Sequence, residues 1–104
     1  MKVVFDMDTG VDDSLALIYA LNRPAYEIQG IGCVYGNVES WLAAENTMKI
    51  LDLVNAPDIP VVIGANEPLT GKWAGRVSII HGENGLGNVE LPSAGRSACE
   101  PRFA

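Results

Sequence analysis

Short β-branched runs alternating with longer helical stretches constrain this chain more than any other feature. Lys2-Val3-Val4-Phe5 is too short for a helix and is read as a strand covered on both faces. Gly10 then punctuates the chain, and Asp12 stands where a helix N-cap is expected. Ser14 to Leu21 is apolar nearly all round, the pattern of a helix packed deep in a domain. Asn22-Arg23-Pro24 stops it, because proline lacks the amide and disfavours helical geometry before it. Tyr26 to Tyr35 reads as a second strand, ended by Gly36-Asn37. Glu39 to Asn55 is helical again, with Glu45, Lys49 and Asp52 on one polar face and Leu42, Ile50, Leu51 and Val54 pointing elsewhere. Pro57 and Pro60 frame a linker to a third short strand, Val61-Val62-Ile63-Gly64.

Strand, helix, strand, helix, strand is a βαβαβ unit, so the predicted fold is α/β and Rossmann-like, with a parallel sheet. Residues 65–104 lose this periodicity and predict an irregular C-terminal tail. A length of 104 residues allows one domain at most, taken as a single, partial domain over 1–104. Hydrophobic residues at 48% and charged residues at 19% mark a globular chain. A net charge of −6 argues against nucleic acid or an anionic membrane as partner, since both need clustered Lys and Arg. No signal segment or long apolar run is visible, so a cytoplasmic location is expected. Cys33 and Cys99 form no spaced metal or redox pair, and Cys33 is expected in the core.

Asp6, Asp8, Asp12 and Asp13 place four carboxylates in eight residues, where they repel one another unless a hard cation neutralises them. Their position is the stronger signal, because parallel αβ sheets bind ligands beyond the carboxyl ends of their strands. Asp6 and Asp8, two residues apart on an extended segment, are expected to converge there. Gly10 is expected to turn the backbone sharply and return Asp12 and Asp13 to the next helix, whose dipole favours negative charge. Taken singly, each acid reads as a cap or loop residue. Together around one glycine they point to a metal or catalytic role.

Val4-Phe5-Asp6-Met7-Asp8-Thr9-Gly10-Val11-Asp12-Asp13-Ser14-Leu15-Ala16-Leu17 resembles the opening motif of the inosine-uridine preferring nucleoside hydrolase family. Val34-Tyr35-Gly36-Asn37 resembles that family's second-strand end, and His81-Gly82-Glu83-Asn84-Gly85-Leu86-Gly87 its loop on the base-binding side. Ala44-Glu45-Asn46-Thr47 is similar to a segment of its second helix.

The resemblance implies hydrolysis of the N-glycosidic bond of ribonucleosides with a bound Ca²⁺. Asp8 would ligate the metal and act as general base, and Asp13 would be a second ligand. Asp6 would support the loop and stands as a further candidate ligand. Asp12 and Asn37 would hold the ribose hydroxyls, and His81 would lie near the leaving base. Thr9 stands where the family often has proline. Family chains are far longer, so their later metal ligand and further ribose and base contacts are not in this sequence.

Two other classes compete. Haloacid-dehalogenase-like phosphatases also place Asp-x-Asp after a first strand, with Asp6 as nucleophile, Asp8 as acid/base and Mg²⁺ as cofactor. A truncated, inactive remnant could instead serve as an oligomeric metal- or nucleoside-binding module. Three parallel strands leave an edge and a helical face to cover, so a homo-oligomer is expected. Trp41, at a helix start, is expected in the core, whereas Trp73 is open to packing or to stacking on a base.

Overall fold

The computed structural model describes residues 1–99, and the end of the domain expected over 1–104 lies outside the described residues. Three strands, β1 (Lys2–Met7), β2 (Glu27–Cys33) and β3 (Val61–Ile63), form a parallel sheet in the order β1-β2-β3. Helices α1 (Val11–Leu21) and α2 (Ser40–Leu53) connect them, and a short α3 (Ser78–His81) follows in the irregular region. The expected α/β, βαβαβ order with a parallel sheet is therefore what forms. No helix of the described residues is long and apolar enough to cross a membrane.

The register explains the sheet's two unlike faces. Val4 pairs with Gly30 and Asp6 with Gly32, while Phe5 and Met7 pair with Ile31 and Cys33. Side chains alternate across a strand, so Val4 and Asp6 share one face with two glycines and the bulky partners share the other. The bulky face packs with Leu17, Leu42, Ala43, Leu51 and Val61 into one apolar core. Cys33 lies fully inside it, and burial pushes its thiol up to about 11.

The other face is open, and this corrects the reading of β1 as covered on both sides: Val4 is 71% exposed. A groove of about 450 Å³ runs across it between Val4, Asp6, Gly32, Pro60 and Val62.

The first helix is also less deeply packed than its composition suggests. Ser14, Leu17 and Ala20 are buried on one stripe, but Leu15 and Tyr19 face outward. Its N-cap is Gly10 and not Asp12, which lies in the first turn. Helix α2 buries nine residues and keeps Glu45, Lys49 and Asp52 off the core. Trp41 is exposed instead of buried, because Ser40, Leu42, Ala43 and Ala44 take the inward positions of this turn.

Candidate functional site

Residues from the acidic loop, the turn after β2 and the His81 segment converge on the carboxyl end of the sheet, where the chain leaves β1 and β2 and enters the two helices. Asp8 and Asp13 meet across the turn: the Asp8 N–H donates to Asp13 Oδ2 at 3.2 Å. The Asp13 carboxyl is raised from its ordinary value to about 6, first by burial, then by the hydrogen bond and charge of Asp8 and by the charge of Asp12. Burial and neighbouring like charge both disfavour the ionised form of Asp13.

Asp8 is in turn fastened to the end of β2. Its Oδ2 accepts the Asn37 N–H at 3.0 Å, and its carbonyl accepts from Asn37 Nδ2 at 3.4 Å. Gly36 makes this approach possible, since a Cβ there would run into the Asp8 carboxylate. Trp73 closes the outer side by donating its indole N–H to the Gly36 carbonyl at 2.8 Å and packing edge-on against Tyr35.

Gly10 is required for a reason the sequence did not disclose. The chain bends at Gly10 as expected, but its φ of −104° is open to any residue, so the bend itself does not demand glycine. Its missing side chain is what matters, because a Cβ would lie against the His81 ring, 2.8 Å from Cε1. His81 is buried, and its Nδ1 accepts the Val11 N–H at 3.0 Å, one of the free amides at the start of α1. That bond leaves the ring hydrogen on Nε2. The exposed Asp12 carboxylate lies 3.7 Å from the same Nδ1, with no hydrogen for the two to share.

Asp8, Asp12, Asp13, Asn37 and His81 are thus brought to one end of the sheet. Asp6 stays on the open sheet face and lines its groove. Among the described residues no group of three His, Cys, Asp or Glu side chains could hold a metal ion. Asp8 and Asp13 form a two-carboxylate pair, whereas Ca²⁺ takes six to eight oxygens. The pair suits part of a hard-cation shell and not a whole one.

Sequence reasoning gave no role to the polar groups behind the loop. Asn46 and Thr47 are buried in α2; their signals were a place off the helix's polar face and the resemblance of residues 44–47 to the family's second helix, neither of which gave them a role. Thr9 joins them through a 2.6 Å contact between its hydroxyl and that of Thr47.

Comparison with known proteins identifies relatives of the whole chain. The sequence profile described as inosine-uridine preferring nucleoside hydrolase matches residues 3–104. The chain is 39% identical over 103 residues to uridine nucleosidase 1 of Arabidopsis thaliana, covering 99% of this chain and 31% of that one. It is also 39% identical to an uncharacterized protein in the ribF 3′ region of Corynebacterium ammoniagenes, covering 88% of this chain and 98% of the relative. A purine-preferring ribonucleoside hydrolase from Gardnerella vaginalis superposes with a TM-score of 0.87 at 39% identity, over 94% of this chain and 32% of the other. The chain therefore spans about a third of the Arabidopsis and Gardnerella proteins.

Proposed function

The chain belongs to the inosine-uridine preferring nucleoside hydrolase family, and on that premise we propose that its acidic loop is the cation- and ribose-binding part of a ribonucleoside N-glycosidase site. The observation that carries this reading is the Asp8–Asp13 pair, two acidic side chains held together where the chain leaves β1 and enters α1. Asp8 and Asp13 would hold Ca²⁺, which when bound supplies Lewis acidity that lowers the pKa of a coordinated water.

The chain's own residues supply the rest. Asn37 engages Asp8 at Oδ2 and so orients the carboxylate that would take the proton of the attacking water. Asp12 is exposed at the start of α1, and Asn37 lies at the end of β2, so together they offer acceptors and donors to vicinal ribose hydroxyls. The loop's negative charge favours an oxocarbenium-like transition state. With Nδ1 engaged by Val11, His81 has Nε2 left to meet a leaving base.

A second reading is a cation- and nucleoside-binding module without turnover, favoured by the lack of a third acidic ligand among the described residues. We also propose self-association through the open sheet face, since parallel sheets are normally covered on both sides. A reducing-sugar assay on inosine and uridine with millimolar Ca²⁺ separates the first two readings. Turnover abolished by Asp8→Asn supports the hydrolase; Ca²⁺ binding without ribose release supports the module; no Ca²⁺ binding sinks both.

A further inference from the structure

Beneath the acidic loop lies a set of buried polar groups for which the proposed chemistry has no direct use. Asn46 is 1% exposed, on a helix whose buried neighbours include Ala43, Met48 and Ile50. Its Nδ2 donates to the Thr9 carbonyl at 3.3 Å and to the Asn84 carbonyl at 2.8 Å, while its Oδ1 has no partner among the described residues. A buried amide with an orphaned oxygen is costly, so the two donated bonds are what an asparagine provides here and an apolar residue cannot. Thr47 adds a third hold. Its hydroxyl hydrogen goes to the Ala43 carbonyl at 2.8 Å, which makes Thr9 the donor in the hydroxyl pair.

His81 grips the same turn from the opposite side. The carbonyl preceding Gly10 belongs to Thr9 and is held by Asn46; the amide following it belongs to Val11 and is held by His81. The peptide groups on either side of Gly10 are therefore fixed by side chains from remote elements. The loop after α3 closes the circuit by supplying the Asn84 carbonyl. Gly85 is needed there, with φ at +79° and a Cβ position only 2.7 Å from Asn46 Nδ2.

We infer that Asn46 and His81 are positioning residues that set the Asp8–Asp13 geometry, so that the 82–88 loop and the acidic loop form one unit. The inference rests on the cation role proposed for that pair, but the clasp itself can be tested without any metal.

Backbone amide exchange in chelator is the direct measurement. In Asn46→Leu, which fills the site and removes the orphaned oxygen, exchange at Asp8 and Asn37 is expected to quicken about tenfold or more while Ile31 and Cys33 keep parental protection. In the same variant Ca²⁺ affinity by calorimetry is expected to fall by roughly 10- to 100-fold, the range for a group that orients metal ligands. His81→Ala should expose the Val11 amide, and His81→Asn, whose Oδ1 can stand in for Nδ1, should restore its protection. Loss of packing alone would not produce that rescue. Parental exchange at Asp8, Val11 and Asn37 in both Asn46→Leu and His81→Ala overturns the inference. Should Asn46→Leu fail to fold, the two His81 variants decide the matter. A parent chain that binds no Ca²⁺ would remove the cation reading, and the exchange result would still judge the clasp.

Discussion

The two ends of the β1 side-chain ladder are built on opposite principles. At the carboxyl end, Asp8 is fastened to Asn37 and Asp13, and the adjoining turn is gripped by Asn46 and His81. On the open face, Val4 stands 71% exposed beside Gly30, with no layer of the described residues over it. The local order of the acidic loop is thus satisfied among the described residues, whereas the burial of the sheet's second face is not. Hydrogen-bonded loop geometry can be completed by neighbours a few dozen residues away. Covering a parallel sheet takes a second layer of helices or another molecule.

The contrast is sharpest at the ligands themselves. Asp8→Ala removes a proposed ligand together with the Asn37 bond. Its Ca²⁺ affinity by calorimetry is expected to fall by more than the roughly 10- to 100-fold typical of losing a supporting group. Gly10→Ala comes next: its Cβ meets the buried His81 ring, and overpacking of this kind costs about 1–3 kcal/mol, to be read from urea denaturation. An unchanged midpoint would show that His81 can swing away and that the loop is looser than its bonds suggest.

A smaller effect follows from the Asp13 carboxyl. Its folded-state value of about 6 lies above the ordinary 3.8, so between those limits the folded chain binds more protons than the unfolded one. In chelator, stability is therefore expected to rise as pH falls from 7 through about 6. Asp13→Asn should flatten that slope in thermal melts. The smallest expected change is Val4→Lys on the open face, within about 0.5 kcal/mol of the parent for the folded monomer. The same change is expected to dissociate any oligomer seen by sedimentation. An assembly that persists in the Val4→Lys variant uses another surface.

Much of the fold was legible in the chain because periodicity is a local property. Lys2–Met7, Glu27–Cys33 and Val61–Ile63 formed strands near their expected bounds, and Ser40–Leu53 kept Glu45, Lys49 and Asp52 on one face. Leu15, Tyr19 and Trp41 were misjudged for the complementary reason. Their hydrophobicity shows that they can be buried, but what covers them is set by layers beyond their own helix.

The sequence by itself determined the βαβαβ order, the gathering of Asp8, Asp12, Asp13 and Asn37 at one end of the sheet, and the family. Strand polarity and the length of each connection leave little choice about where those residues arrive. Only the tertiary structure decided that Asp6 stays on the open face, that Gly10 makes room for His81, and that Asn46 holds the Thr9 carbonyl. Those three facts depend on contacts between residues up to 71 positions apart, Gly10 with His81 being the longest. Local patterns cannot encode which atoms meet at that separation, because packing of the whole unit sets the distances.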